Sequence, residues 1–336
     1  MRVYPFFIPH AGCPHRCLFC QQQRTSGQAA APSPEEVGRG LEELLPSTGS
    51  GEVAFYGGTF TLLPEPLQRA YLERVGHFVH TGRISGIRVS TRPDALGERA
   101  VKFLAGMGVT TVEMGCQSFS AEVLNRSGRG HGAQEAEGAV ERLRRIGLGV
   151  GLQLMPGLPG GDREEAKLSL ERALSLRPDF LRIYPSVVLK NTPLENLYLS
   201  GDYRPLSLET AVDWCAELLW RCRRAGVAVI RMGLQGTPEL DRGEGWVAGP
   251  YHPAFGQLVR SFLWLRAMEK GMEKVGLGAV EVNPADRADA LGHRRENIVF
   301  LQRRFGNLAI IANPAVSREH LSFGGRIFPL AELAAY

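Results

Sequence analysis

Short apolar runs alternate with amphipathic stretches over the first two thirds of this chain. The runs Val3–Ile8, Val53–Tyr56, Ile87–Ser90, Thr110–Met114, Gly149–Leu154 and Phe180–Tyr184 read as strands. Their mostly apolar character is that of parallel strands covered on both faces. Between them, 34–45, 66–80, 98–106, 134–146 and 163–176 carry helical periodicity. Ser33-Pro34-Glu35-Glu36 combines an N-cap serine, a proline at the first helical position and a glutamate three residues after the cap. A further helix at 207–225 starts from Ser207 and stops at Gly226. Strands alternating with helices predict βαβ units, closed as a barrel or laid out as a doubly wound sheet.

The texture changes after about residue 232. Gly233–Pro250 is rich in Gly, Pro and Glu and reads as a loop. A helix at 254–270, a strand at 275–282, a polar helix near 294–304 and a last strand at 308–312 follow, with the pair Gly324-Gly325 near the end. Residues 1–235 are therefore expected to form the main α/β unit and 236–336 a C-terminal extension packed on it.

Composition narrows the picture in four ways. The 336 residues suffice for one large barrel with an appendage. The formal charge of +4, from 39 basic and 35 acidic side chains, permits a polyanionic partner without requiring one. Arginines cluster at 142/144/145, 221/223/224, 294/295 and 303/304. Such runs are solvated helix faces or, read functionally, a phosphate-binding stripe. No apolar stretch reaches the roughly 20 residues of a membrane span, and the start is too short for a signal peptide, so a cytoplasmic protein is expected.

Six cysteines are too few and too unevenly placed for a disulfide framework. Cys116, Cys215 and Cys222 fall in apolar or helical contexts and read as core thiols. Cys13, Cys17 and Cys20 differ. They form Cys-x3-Cys-x2-Cys directly after the first strand. Two chemistries fit. Zinc would take the three thiolates with His10 or His15 as a fourth ligand, although zinc knuckles usually pair two Cys-x2-Cys hairpins and no second hairpin is present. A 4Fe-4S cluster would take the three thiolates and leave one iron without a protein ligand. The loop after the first strand of an α/β unit favours the cluster, because ligands gather at the carboxyl ends of such strands. Phe19 would set an aromatic face beside whatever binds the open iron.

Other strand ends carry polar or glycine residues. Tyr56-Gly57-Gly58-Thr59-Phe60 follows the second strand, and its paired glycines let backbone approach a ligand closely. Ser90-Thr91-Arg92-Pro93-Asp94 follows the third, Gln117-Ser118 the fourth, and Gln153 lies near the end of the fifth. Each has a plain structural reading: Gln117 as a helix cap, Asp94 as the N-cap of a helix at 97–106, Gln153 as a satisfied core amide. Together they describe one rim.

These segments, in this order, resemble the radical S-adenosylmethionine (SAM) superfamily, and more closely the branch of the Elongator catalytic subunit and its compact bacterial relatives. The resemblance is carried by Phe7-Ile8-Pro9-His10 with the three cysteines, by Phe55–Phe60, Thr91–Asp94, Glu113–Ser118, Gly128-Arg129-Gly130-His131, Met155–Gly160, Arg182–Pro185 and Gly249–Phe255. It implies a partial (β/α)6 TIM-type barrel. Cys13, Cys17 and Cys20 would ligate the cluster, and SAM would bind its open iron. Gly57, Gly58 and Thr59 would hold the SAM ammonium, Gln117 the ribose hydroxyls, Arg129 the carboxylate, and Gln153 the ribose or adenosine. The reduced cluster would cleave SAM to methionine and a 5′-deoxyadenosyl radical, with reduced flavodoxin or ferredoxin as donor.

Three departures limit what is carried over. The Elongator subunit has a C-terminal acetyltransferase domain, for which a chain ending at Tyr336 has no room. The cysteine spacing is shorter than in that subunit. Ser90 stands where an acidic residue precedes Thr-Arg-Pro-Asp. The leading expectation is a radical SAM enzyme acting on RNA, with tRNA as partner. The alternatives are a radical SAM enzyme for a small metabolite, as in oxygen-independent coproporphyrinogen oxidases, and a zinc-stabilised binding module without catalysis. The oligomeric state is not set by the sequence.

Overall fold

A computed structural model describes residues 2–14, 16–45, 51–276 and 278–336. The strands, in chain order, are β1 (Val3–Phe7), β2 (Glu52–Tyr56), β3 (Gly86–Thr91), β4 (Val109–Gln117), β5 (Gly149–Leu154), β6 (Phe180–Ile183), β7 (Val188–Leu189), β8 (Ala228–Met232), β9 (Trp246–Ala248), β10 (Ala279–Val282), β11 (Ala309–Ala312), β12 (His320–Phe323) and β13 (Arg326–Pro329). The helices are α1 (Gln22–Ser26), α2 (Pro34–Leu44), α3 (Glu65–His80), α4 (Glu98–Gly106), α5 (Ala121–Arg126), α6 (Ala133–Ile146), α7 (Arg163–Ser175), α8 (Pro193–Leu199), α9 (Leu208–Arg224), α10 (Pro238–Asp241), α11 (Phe255–Val275), α12 (Arg287–Leu291), α13 (Glu296–Phe305) and α14 (Leu330–Leu333).

Seven strands form one parallel sheet in the order β1-β2-β3-β4-β5-β6-β8, curled into a half-barrel. The six strands expected from sequence are all present. The seventh, β8, was not expected. It pairs only with β6, and its residues are exposed or half-buried, so it lacks the buried run by which the others are read. Side chains on one face, among them Val53, Phe55, Ile87, Val89 and Val112, pack under α2, α3, α4 and α6 in a continuous core. Ser33 and Glu36 close the expected capping box on α2, and Ser207 caps α9.

The C-terminal residues build a four-stranded sheet ordered β11-β10-β12-β13. Here the strand expected from 275 starts later, and the strand expected to be the last, at 308–312, is followed by β12 and β13. Val275 belongs to α11, because Met268, Gly271 and Met272 continue its buried face and Gly276 ends it at φ 93°; the strand begins only at Ala279. Gly324 and Gly325, with φ of 55° and 83°, form the two-residue turn between β12 and β13. Positive φ at both positions is the geometry that matches strand twist in a tight hairpin. The segment read as a loop, 233–250, contains α10 and β9, and β9 pairs antiparallel with β7. Cys116, Cys215 and Cys222 are fully buried, as expected. The unit packs on α9 through α11 and α14, with Trp264 only 1% exposed and Trp220 Nε1 donating to the Ala331 carbonyl at 2.7 Å. Among the described residues no helix is long and apolar enough to cross a membrane.

Candidate functional site

β1 and β2 leave the sheet side by side, with Phe7 paired to Tyr56 and Ile8 N donating to the Tyr56 carbonyl at 2.8 Å. The cysteine loop and the Gly57-Gly58-Thr59 turn therefore emerge together. They touch through backbone: Thr59 N donates to the Ala11 carbonyl at 2.7 Å. A Cβ on Gly58 would lie 2.4 Å from the Ala11 oxygen, and one on Gly12 2.4 Å from the Thr59 oxygen. Both glycines also have positive φ, 61° and 72°. Only glycine meets both demands. The Gln22 side chain fastens the contact, its Oε1 accepting from Gly58 N at 2.6 Å and from His10 N.

The ten candidate residues from sequence line a single cavity of about 260 Å³ at the carboxyl ends of the strands. Thr59 is fully buried, with its hydroxyl 3.3 Å from Cys13 Sγ. Arg129 Nη1 donates to Cys17 Sγ at 3.3 Å, while Nη2 donates to the Gly115 carbonyl. Gln153 Nε2 donates to Gln117 Oε1 at 3.0 Å, so the two amides are partners. Gln117 has a φ of 70°, rare for a non-glycine residue and a mark of strain at the end of β4. The plain readings do not hold for two residues. Ser120, not Gln117, caps α5, and Asp94 accepts both the Nε and Nη2 of Arg92, at 3.0 and 2.8 Å, instead of capping α4.

Burial, followed by the neighbouring Cys17 and Cys13, pushes the Cys20 thiol up to about 12. The Cys20 thiol thus resists becoming a thiolate, and a bound cation reverses that balance. Among the described residues no three His, Cys, Asp or Glu side chains gather closely enough for one metal ion. A cubane takes each thiolate on a separate iron, and the soft all-sulfur donor set fits it. His15, one suggested zinc ligand, lies outside the described residues. His10 Nε2 accepts from Gln22 N at 3.0 Å and is engaged with the loop itself.

The sequence reading missed the cavity floor. Arg88 bridges Glu52 and Glu113, the latter at 2.7 Å, and Arg182 Nε lies 2.9 Å from Glu113 Oε2. Tyr56 donates to Glu113 at 3.1 Å, and Arg182 donates to Tyr184 at 2.9 Å and to Tyr56. The Arg182 guanidinium also stacks 4.4 Å from the Tyr56 ring centre. Burial and Glu113 hold the Tyr56 phenol well above its usual range, so it stays a donor. The signal was present as alternation: Glu52/Tyr56, Arg88/Ser90, Thr111/Glu113/Gln117 and Arg182 occupy one face of their strands.

A strap covers part of the mouth. Leu234 and Gln235 line the cavity, and Glu239 of α10 pairs with Arg24 of α1, just beyond Cys20. Thr237 Oγ1 donates to the Arg24 carbonyl at 3.3 Å.

Two family models match consecutive segments: the Radical SAM superfamily over residues 7–173 and the Radical_SAM C-terminal domain over 178–264. The chain belongs to the radical SAM superfamily. Enzymes of this superfamily use a 4Fe-4S cluster and SAM. Within it, the chain is 34% identical over 134 residues to a "tRNA uridine(34) acetyltransferase" of Methanocaldococcus jannaschii, covering 39% of this chain and 25% of the relative. It is 26% identical over 244 residues to a protein of the same name from Dehalococcoides mccartyi, covering 61% and 53%. It is 30% identical over 200 residues to human Elongator complex protein 3, covering 53% and 36%. The chain thus spans about a quarter to half the length of these curated relatives. The radical SAM fold is also seen in the match to an archaeal Elp3 from Methanocaldococcus infernus, with TM-score 0.60 at 22% identity over 81% of this chain and 62% of that one. Coproporphyrinogen III oxidase from Escherichia coli matches with TM-score 0.50 at 18% identity, covering 67% and 52%.

Proposed function

We propose that this chain cleaves SAM reductively at the Cys13/Cys17/Cys20 loop and acts on tRNA. One observation supports the site above all others: the three thiols, the glycine turn and the polar strand ends line one cavity. Cys13, Cys17 and Cys20 would hold the cluster. With SAM bound, such a cluster would supply the one electron needed to break a sulfonium bond, giving methionine and a carbon radical able to take hydrogen from the substrate.

The remaining assignments belong to the chain's own side chains. Arg129, fixed by Cys17 and the Gly115 carbonyl, keeps a cation beside the cluster loop for the SAM carboxylate. The half-buried turn at Gly57-Gly58 offers carbonyls to the ammonium, and Thr59 orders the Cys13 thiol. The Gln117–Gln153 pair serves the ribose and adenosine side. Phe19, 9% exposed, walls the cavity against water. Arg182, with Tyr56 and Tyr184, faces whatever enters beyond SAM.

tRNA as substrate is supported by the names of the curated relatives and by the segment shared with them. Acetyl transfer is not part of the proposal. A cytoplasmic setting and a reduced flavodoxin or ferredoxin donor complete it. A small metabolite is the second reading, favoured by the strap over the mouth; against it, the lining is charged, with Arg16, Arg92, Glu113, Arg129 and Arg182 contributing.

The test has two arms. Anaerobic reconstitution should give a brown protein that forms 5′-deoxyadenosine with dithionite and SAM; a colourless protein with one zinc overturns the radical reading. Mass spectrometry of nucleosides in tRNA from a deletion strain should lack a modified nucleoside seen in its parent; identical profiles overturn the tRNA reading.

A further inference from the structure

The structure separates the arginine clusters into two kinds. In the 142/144/145 group, Arg144 pairs with Asp179 at 3.0 Å, Arg145 with Glu98 and Glu141 at 3.0 Å, and Arg142 donates to the Leu96 carbonyl at 2.7 Å. In the 221/223/224 group, Arg221 pairs with Glu217 and Glu171, Arg223 with Glu319, and Arg224 lies over the Trp220 ring. Arg304 pairs with Glu269 and Glu273. These cations are spent within the fold. Arg294, Arg295 and Arg303 are exposed, and no carboxylate lies within ion-pair reach of them among the described residues.

Three further observations fall on the same element. Arg294 and Arg295 are consecutive left-handed residues, φ 50° and 66°, a conformation that non-glycine residues adopt at a cost. Such strain, held at an exposed basic turn, points toward function. α13 buries Asn297, Ile298 and Leu301, so Val299, Phe300 and Arg303 share the opposite face. Val299 and Phe300 are each 43% exposed, although they are large and apolar. The face therefore alternates unpaired cations with an accessible ring. His293, in the turn before, stands edge-on to His252 with ring centres 5.3 Å apart, tying the turn to the segment after β9. The one carboxylate on this turn, Glu296, sits at the start of α13, where it favours the helix. The whole face lies beyond residue 264, outside both family models.

We propose that the exposed face of α13 and the turn before it form a docking surface for the tRNA backbone, with Arg294, Arg295 and Arg303 on phosphates and Phe300 stacked on an unpaired base. This rests on the tRNA reading above. Each phosphate contact releases counterions, so affinity must fall steeply with salt. Stacking on an aromatic ring adds affinity with little salt dependence.

The experiment is filter binding of total tRNA to the reconstituted holoenzyme across a salt series. The variant R294A/R295A/R303A should bind at least about tenfold more weakly at low salt, and each arginine removed should reduce the log–log salt slope by about one. Phe300→Ala should weaken binding and leave the slope as it is. Arg304→Ala, whose cation is already paired, should match the native protein. SAM cleavage without tRNA should be unchanged in all three variants, which also reports that they fold. Native affinity and slope in the triple variant, with a salt-dependent native enzyme, overturn this surface and leave the tRNA reading standing. A native enzyme with no salt-dependent tRNA affinity overturns both. Native tRNA binding in the triple variant with slowed reduction by an acidic flavodoxin would mark the face as a protein contact and also overturn the proposal.

Discussion

The cysteine-bearing rim of the large sheet and the C-terminal four-stranded unit carry charge in opposite ways. At the rim, Glu52, Arg88, Glu113 and Arg182 are drawn inside the half-barrel and neutralise one another beneath a cavity. In the C-terminal unit the interior is mainly apolar and most arginines lie at the surface, some paired and others, Arg294, Arg295 and Arg303 among them, not. Buried ion pairs are weak sources of stability. Their presence at the rim is better explained by the chemistry above them, where a fixed polar floor is needed. The same residue type therefore has two meanings in one chain, and paired substitutions can test whether that contrast is real.

The largest contrast is expected between cysteines. Cys17→Ala should abolish iron and sulfide incorporation and all 5′-deoxyadenosine formation. Cys222→Ala, at a fully buried thiol outside the cavity, should retain both. Equal loss in the two variants would break the comparison.

Arginines come next. Arg88→Met leaves Glu52 and Glu113 without their shared cation and should cost about 3–5 kcal/mol by anaerobic urea denaturation. Arg304→Met removes only exposed pairs with Glu269 and Glu273 and should cost about 1 kcal/mol or less. Similar values for both would mean that the floor is not a dry network.

Glycines give a smaller difference. Gly58→Ala meets the Ala11 oxygen at 2.4 Å in addition to its unfavourable φ, and about 2–4 kcal/mol with impaired cluster retention is expected. Gly325 also has positive φ, but open space surrounds it, so Gly325→Ala should cost only about 1–2 kcal/mol.

The last comparison concerns pH. Burial, then Arg129, lowers the His131 imidazole from 6.5 to about 4. The unfolded chain takes up this proton below about pH 6.5 while the folded one does not, so stability is lost as pH falls from about 6.5 toward 4. The loss is bounded near 3 kcal/mol by the size of the shift. His131→Gln should flatten this limb when unfolding at pH 7 and pH 4.5 is compared with the native protein; an unchanged limb would place the acid sensitivity elsewhere.

Much of the architecture was legible because it is local. The run Glu52–Tyr56 is buried throughout, and its continuation Gly57-Gly58-Thr59 announces a turn, so both strand and rim could be read together. β8 was not legible, since an edge strand lacks that run. The floor of the cavity escaped for another reason. Each charge taken alone looks solvated, and its partner lies 25, 36 or 69 positions away. Only the fold reveals that Arg88 and Arg182 converge on Glu113. The pairing of Gln117 with Gln153 was hidden in the same way, across two strands. The cysteine loop could be found because its spacing is itself the signal.

The latch between Arg24 and Glu239 joins positions 215 residues apart. During synthesis the thiols of Cys13, Cys17 and Cys20 leave the ribosome long before the strap that will lie over them. The mouth is thus completed late, after most of the half-barrel has emerged, as expected for contacts of such long range. Assembly of an oxygen-sensitive centre in this protein would therefore have a natural window, open while translation continues and narrowed once α10 settles against α1.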